Sequence, residues 1–398
     1  MKKRKIISVI LILLLLPLTL STAYAAPQAD AINSKSADIA TNPQPTPADA
    51  KAAILVECQT GKVLYSQDAD KRLPIASVTK IMTLCLIFDK IEAGHITKDD
   101  IVTVSDNAAG MGGSQVFLES GGKYPVKELI KSIIIASAND ACVAMAEYIS
   151  GSQESFVGAM NQKAKQLGMK DTHFVNCTGM PHDEHLSTAA DVAKMSAELT
   201  KHEMFFSYSS IWMDEIKHSG GRVTGLTNTN KLVRFFDGCD GIKTGYTDQA
   251  GHCVAATVRR DGMRLISVII GGKTSQGRFD DARRLLNYGF ANFKKQSLME
   301  NVDIPQCLKL DGGMEKYAEI VPAEIDPCIV INKNDASGIT HTVNLPQSLK
   351  APLKAGDAVG DIIFSFNGRE IARVNIVASC SYKQATVGEY FDKLLQQW

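Results

Sequence analysis

No C-x-x-C pair occurs among the nine cysteines, at positions 58, 85, 142, 177, 239, 253, 307, 328 and 380, which argues against a zinc site. An odd cysteine count in a chain of 398 residues fits buried free thiols at least as well as a disulfide framework. Cys239 and Cys253, flanking an expected hairpin, are the one candidate pair. Neither charge is in excess: 43 basic residues face 43 acidic ones, and nothing points to nucleic acid or another polyanion. There is no G-x-S-x-G elbow and no internal repeat. The apolar run Ile6–Leu20 is short for a spanning helix and contains Pro17, which weighs against an uncleaved anchor.

What is there begins with that run. Lys2, Lys3, Arg4 and Lys5 precede it, and Ser21-Thr22-Ala23-Tyr24-Ala25 follows, giving the three regions of a secretory signal peptide over 1–25. Its removal leaves 39 basic and 43 acidic side chains. Residues 26–48 are rich in Ala, Pro, Asp and Ser and read as a linker. From Ala52 two apolar segments flank Gln59-Thr60-Gly61 as in a β-hairpin, and Pro74–Glu92 reads as a helix. Helical texture runs from Val126 to about Leu167, broken at 136–140 and at Ser150-Gly151. Strands return over Gly241–Tyr246, His252–Arg259 and Met263–Ile270, before a last helix from Phe279 to about Phe293. The fold class is therefore α+β: a domain at 49–298 with helices packed on one antiparallel sheet, then a small all-β domain at 299–382. In the latter, Asn367-Gly368 between alternating segments signals a type I′ hairpin.

Three short strings lie in order: Ser77-Val78-Thr79-Lys80, Ser137-Ala138-Asn139 and Lys243-Thr244-Gly245. On a helix, Ser77 and Lys80 share a face, so an amine lies within reach of a hydroxyl. A serine is a poor nucleophile until a base takes its proton, and lysine serves once its pKa is lowered. Lys243 is the obvious neighbouring cation to lower it. Ser137-Ala138-Asn139 is a polar turn between apolar helical segments, with simple N-capping as the alternative. Lys243 and Gly245 alternate to one face of a strand, and glycine lets a substrate backbone approach. The backbone N–H groups of Ser77 and Tyr246 are candidate oxyanion donors. Arg278, a permanent cation, suits a carboxylate; the alternative is a surface salt bridge with Asp280 or Asp281.

Several rivals are set aside. S-x-x-K recurs at Ser120–Lys123, and S-x-N at Ser105-Asp106-Asn107 and Ser365-Phe366-Asn367; Ser105 reads as part of an exposed turn. Gly271-Gly272-Lys273-Thr274 has Ser267 where a P-loop needs glycine, and no helix is expected to start there. His182-Asp183-Glu184-His185 has no third metal ligand and reads as solvated loop residues.

With the three strings in place, the chain resembles low-molecular-mass penicillin-binding proteins of the serine D-alanyl-D-alanine carboxypeptidase family over about residues 48–382. Carrying the likeness are Leu73-Pro74-Ile75-Ala76-Ser77-Val78-Thr79-Lys80-Ile81-Met82-Thr83, Met111-Gly112-Gly113-Ser114, Ala136-Ser137-Ala138-Asn139-Asp140-Ala141 and Asp240-Gly241-Ile242-Lys243-Thr244-Gly245. The resemblance implies a catalytic α/β domain, a C-terminal β domain and a membrane-associating tail. It also implies that Arg278, with Thr244, receives the substrate's terminal carboxylate. Ala138 departs from a frequent glycine, and Tyr246 stands where some members carry histidine. The reading is an exported enzyme at the outer face of the cytoplasmic membrane or in the cell-wall space, trimming D-alanine from peptidoglycan stem pentapeptides. Ser77 is its nucleophile and Lys80 its base, with Ser137, Asn139 and Lys243 completing the catalytic group and Thr244, Gly245, Tyr246 and Arg278 the substrate site. β-Lactams are expected covalent inhibitors, and no metal or organic cofactor is needed. A transpeptidase or endopeptidase, a β-lactamase and a silent peptidoglycan-binding protein stay open; Asp171 and Glu184, the carboxylates placed for a β-lactamase, lie in no E-x-x-x-N string.

Residues 383–398 end the chain with Val387, Tyr390, Phe391, Leu394, Leu395 and Trp398 on one helical stripe. Such a stripe must be covered by protein or lipid. Over 386–398, two carboxylates and one lysine attract anionic headgroups weakly, whereas Tyr390 and Trp398 suit an interface, and a membrane surface is the expected partner.

Overall fold

The computed structural model describes residues 45–46, 48–300, 302–323 and 327–395. The signal peptide, the linker up to residue 44 and Trp398 lie outside the described residues.

In chain order the first part contains β1 (Ala52–Glu57), β2 (Val63–Gln67), α1 (Lys80–Glu92), β3 (Ile101–Thr103), α2 (Asp106–Ala109) and β4 (Lys123–Pro125). Five helices follow: α3 (Val126–Ile135), α4 (Asn139–Ser150), α5 (Gln153–Gln166), α6 (Ala189–Leu199) and α7 (Glu203–Ser209). Then come β5 (Met213–Lys217), β6 (Val223–Thr227), α8 (Leu232–Phe235), β7 (Cys239–Thr247), β8 (Gly251–Arg260), β9 (Met263–Gly272) and α9 (Ser275–Asn292).

A five-stranded antiparallel sheet in the order β2-β1-β9-β8-β7 organises this part. Central β9 is apolar on both faces because both are covered, so its sequence shows little alternation. On one face α1, α3, α4 and α6 enclose a core that includes Phe88, Ile133, Val143 and Met195. On the other, α9 packs Phe279, Leu285 and Leu286 against Leu55, Val254 and Leu265. β7 is the edge strand, so its outer backbone is free to meet a ligand.

Local chemistry sets the helix ends. Thr274, Ser152 and Thr188 cap α9, α5 and α6 by accepting bonds from Gly277, Ser155 and Asp191 N–H groups. α4 ends at Gly151, whose φ of 77° closes the last turn without a Cβ clash. The last helix starts before the expected Phe279, at its Thr274 cap.

The C-terminal part comprises β10 (Phe293–Ser297), β11 (Cys307–Asp311), β12 (Tyr317–Pro322), β13 (Cys328–Asn332), β14 (Ile339–Asn344), β15 (Ser348–Lys350), β16 (Ala358–Phe366) and β17 (Arg369–Ala378). Six of these strands form the sheet β14-β16-β17-β12-β11-β15, while β10 and β13 form a separate ribbon. Asn367 and Gly368 join β16 to β17 with φ of 49° and 73°, the two left-handed residues a type I′ turn requires. Val330 of β13 is buried in the α9 core, so the ribbon ties the two parts together.

A final helix, α10 (Val387–Leu395), opens with a capping box in which Thr386 and Glu389 bond each other's backbone N–H. Val387, Phe391 and Leu395 are 90%, 62% and 61% exposed, so none is docked on the β domain.

Leu285→Ala opens a cavity between α9 and the sheet where side chains are fully buried. The expected loss is about 2–5 kcal/mol of unfolding free energy in urea titration followed by circular dichroism. A loss below 0.5 kcal/mol, on the same scale, would show that α9 does not close the sheet face.

Candidate active site

Ser77 lies on a single 3₁₀ turn, Ala76–Thr79, that leads into α1, not inside the continuous helix expected from Pro74. Ala76 takes a φ of 48° just before it, a strained conformation for a residue with a Cβ. Two glycines let other chain segments close on this turn. A Cβ on Gly245 would lie 3.0 Å from the Ser77 nitrogen, and one on Gly179 would lie 2.0 Å from the Ala76 carbonyl oxygen. Gly179 also has a φ of 84°. No side chain larger than hydrogen fits at either position.

Lys80, fully buried at the start of α1, places its Nζ 2.9 Å from Ser77 Oγ, 2.6 Å from Asn139 Oδ1 and 2.7 Å from the Thr178 carbonyl. Two of these partners only accept. A neutral amine has two N–H bonds, so donating both to Asn139 and Thr178 leaves its lone pair facing the Ser77 hydroxyl. Burial is the first cause holding the Lys80 amine below lysine's ordinary range. The expected influence of the second lysine falls mainly the other way. Burial and then repulsion from Lys80 push Lys243 well below its ordinary value.

Ser137 sits in the turn between α3 and α4 with a φ of 64°, and its buried hydroxyl has no hydrogen-bond partner among the described residues. It caps nothing: the N-cap position of α4 is Ala138. Asn139 is held by donating from Nδ2 to the Gly112 carbonyl at 2.7 Å. Its neighbour Asp140, buried, accepts from the Val116 and Leu118 N–H groups and so fastens residues 112–118 over the start of α4.

Lys243 and Thr244 are buried on β7, and Thr244 Oγ1 donates to Thr229 Oγ1 at 2.8 Å. Arg278 donates from Nη1 to the carbonyls of Gly245 and Cys253, while its buried Nε has no partner among the described residues. The surface salt bridge is not formed: Asp280 pairs with Arg283, and Asp281 with Arg284. Tyr246 is half exposed, stacks on His252 with ring centroids 4.4 Å apart and donates its hydroxyl to Asp248 at 2.8 Å. The strings from α1, the α3–α4 turn and β7 thus meet around Ser77, with Arg278 behind the edge strand.

A model of the D-alanyl-D-alanine carboxypeptidase family matches residues 39–274, and one of the C-terminal domain of penicillin-binding protein 5 matches 293–384. The chain belongs to the D-alanyl-D-alanine carboxypeptidase family. It is 37% identical to D-alanyl-D-alanine carboxypeptidase DacF of Bacillus subtilis, over 88% of this chain and 90% of that protein. With DacA of Escherichia coli the identity is 34%, over 96% and 94%. Penicillin-binding protein 5 from Haemophilus influenzae superposes with a TM-score of 0.75 at 30% identity, covering 87% of this chain and all of that one. Penicillin-binding protein D2 from Listeria monocytogenes, in its ampicillin-bound form, gives 0.56 at 30% identity, covering 62% of this chain and all of that one. Members of this family are serine hydrolases that work through an acyl-enzyme and are sensitive to penicillin.

The rival strings of this carboxypeptidase-family chain have structural explanations. Ser105 caps α2 by accepting from the Ala108 N–H and bonds Glu147, so it is a helix cap and not the expected open turn. Ser120 bonds Asp106, and Ser365 pairs with Glu370 across β16 and β17. A helix does start after Thr274, contrary to expectation, but Ser267 lies within β9 and no phosphate loop forms. His185 is not solvated: it is buried, accepts from the Val175 N–H at Nδ1, and so presents Nε2–H to Thr79 Oγ1. Burial lowers its pKa to about 4. Cys239 and Cys253 are both free thiols; Cys239 lies across from Val258 and Cys253 across from Gly245, well apart along the ladder.

Thr178 and Gly179 were not singled out among the candidate residues. Their signal was Asn176, whose side-chain oxygen accepts from the Thr178, Gly179 and Met180 N–H groups in an Asx-type turn.

Two buried lysines with no carboxylate in contact among the described residues oppose folding, because each must either lose its proton or be buried charged. Lys243→Met is expected to raise unfolding stability at pH 7 by about 1–4 kcal/mol. A lysine depressed in the folded state binds fewer protons there than in the unfolded chain, so wild-type stability rises with pH toward about 10.4. The advantage of the variant therefore shrinks over that range, measured by urea unfolding at several pH values. A Lys243→Met protein less stable than wild type at pH 7 would show that the amine is compensated.

Proposed function

We propose that this enzyme removes the terminal D-alanine from peptidoglycan stem pentapeptides through an acyl-enzyme on Ser77. One observation carries the assignment: the buried Lys80 amine lies 2.9 Å from Ser77 Oγ while it donates to two groups that only accept, Asn139 Oδ1 and the Thr178 carbonyl. Ser77 Oγ attacks the penultimate D-alanine carbonyl while its proton passes to Lys80 Nζ. The oxyanion is received by the Ser77 and Tyr246 N–H groups. Arg278 and Thr244 draw in the terminal carboxylate, and Gly245 lets the peptide backbone lie against β7. The proton held by Lys80 then passes through the Ser137 hydroxyl, with Lys243 behind it, to the leaving amine as the C–N bond breaks, which returns both Lys80 and Ser137 to their starting forms. Water then hydrolyses the ester.

The names of DacF and DacA support carboxypeptidation, while a solved neighbour from Streptomyces K15 is named a DD-transpeptidase, so the product assay below decides between the two. Against a β-lactamase, none of the described contacts of Ser77 or Lys80 involves a carboxylate that would activate the deacylating water.

We further propose export by the signal peptide and action at the outer membrane face or in the cell wall. No helix among the described residues is long and apolar enough to cross a membrane. The exposed Val387, Phe391 and Leu395 of α10 suit attachment to a lipid surface. Cell fractionation with and without residues 383–398 is expected to move the enzyme from the membrane to the soluble fraction. A truncated form that stays membrane-bound removes the tail as the anchor.

Penicillin is expected to label Ser77, located by peptide mapping, while Lys80→Ala slows acylation at least about 10²-fold with an unchanged circular dichroism spectrum. Label on Ser105 or Ser120, or a Lys80→Ala protein acylated at the wild-type rate, would overturn the assignment. Release of D-alanine without ligated product from diacetyl-lysyl-D-alanyl-D-alanine is the expected result by mass spectrometry.

A further inference from the structure

Past the Lys243-Thr244-Gly245 string, β7 ends in a feature that the mechanism leaves unused. Tyr246 and Asp248 sit two residues apart, and the Tyr246 hydroxyl donates to Asp248 Oδ1 at 2.8 Å. The tyrosine ring cannot swing freely, because it is stacked on His252 at an interplanar angle of 25°. Asp248 is exposed, and the charged groups around it are engaged elsewhere. Lys51 Nζ donates to the Gln249 carbonyl, Lys273 pairs with Asp49, and Arg278 is turned to the Gly245 and Cys253 carbonyls. No ion pair to Asp248 occurs among the described residues. A carboxylate oriented through one oxygen, with the other open to solvent and no cation opposite, is the acceptor half of an ion pair.

Its place on the strand says what it would meet. A peptide added to the β7 edge runs antiparallel, with its terminal carboxylate toward Thr244 and Arg278 and its acyl segment toward residues 246–248. With the acyl D-alanine across from Gly245, alternation puts the preceding side chain on the face of Tyr246, and the Tyr246 hydroxyl holds the Asp248 carboxylate, from the turn just past β7, on that side. β7 continues two residues beyond Gly245, to Thr247, roughly 7 Å at the usual strand rise, and Asp248 opens the turn that follows. One residue of peptide and a lysine-length side chain cover that distance.

We propose that Asp248, held by Tyr246, receives the side-chain amine of the stem residue preceding the two D-alanines, so that the enzyme prefers a diamino acid with a free ω-amine at that position. The inference rests on the carboxypeptidase reading above. Asp248 is a specificity residue in this scheme, and Tyr246 positions it.

The test compares kcat/KM for Nα-acetyl-lysyl-D-alanyl-D-alanine, whose ε-amine is free, with the Nα,Nε-diacetyl peptide. Because the pair is exposed to solvent, the free amine is expected to gain about two- to fivefold at low salt. The gain should fade toward 1 M salt, where screening acts within about 3 Å. In Asp248→Asn the ratio is expected to fall to about one, and in Asp248→Lys below one, by simple charge removal and reversal. Asp248→Glu should recover part of the preference. Equal kcat/KM on both peptides by the wild type, or a preference that persists in Asp248→Asn, overturns the proposal while leaving the carboxypeptidase reading intact. No D-alanine released from either peptide by the wild type overturns that reading and the inference with it.

Discussion

Lys80 is buried against Ser77 and repels a second buried lysine, Lys243, with no carboxylate touching either amine among the described residues, and most of the site's construction follows from that placement. Water would solvate an ammonium far better than this interior does, so burial favours the neutral form. A salt bridge would undo the effect by stabilising the charge. Lys80 is met instead by an amide oxygen and a peptide carbonyl, groups that accept its N–H bonds without fixing a proton on it. The second lysine sharpens the outcome, because two adjacent charges cannot both persist in a dry pocket.

Such a pocket requires walls that come close, and the glycines supply them. Gly245 brings the edge strand against the Ser77 turn, and Gly179 brings in the Thr178 carbonyl that holds Lys80. Gly113 has a φ of 78° where the strap of residues 112–118 meets Asn139, and a Cβ there would lie 2.8 Å from the Asn139 amide nitrogen. At Gly245 and Gly179 the approach is made by backbone, which side-chain rearrangement cannot relieve, whereas at Gly113 the close neighbour is the Asn139 side chain. The stable core beneath, from Phe88 on α1 to Met195 on α6, resists the strain at Ala76 and Ser137.

Much of this was legible in the residues themselves. The β1–β2 hairpin, the α3–α4–α5 run with its two breaks and the Asn367-Gly368 turn all follow from periodicity and turn chemistry. So does the edge strand carrying Lys243-Thr244-Gly245. Other features depend on contacts that no local pattern encodes. The 3₁₀ turn at Ser77 exists because Gly245 and Gly179 press on it from distant parts of the chain. His185 looks like a loop residue in His182-Asp183-Glu184-His185, and only the tertiary fold buries it against Thr79. The order of repulsion between the lysines depends on relative burial, which spacing does not reveal. Local sequence also misplaced the start of α9, because apolar periodicity begins at Phe279 while the cap that nucleates the helix is Thr274.

The groups left without partners point the same way as the groups that are paired. Ser137 Oγ and Arg278 Nε are buried and unbonded, in a protein whose other buried polar atoms are mostly satisfied. An unmet donor in a dry site is unfavourable until something fills it. On the proposed mechanism the terminal D-alanine brings what each lacks: a carboxylate beside Arg278 and an amine that takes a proton beside Ser137. The amine becomes basic only as the peptide bond breaks, so the Ser137 contact strengthens along the reaction and not on binding. Interactions that grow toward the transition state accelerate the chemical step, whereas those already complete in the bound substrate only hold it. On the proposed mechanism, then, the strained Ser137 turn serves to hold a hydroxyl where the leaving amine departs.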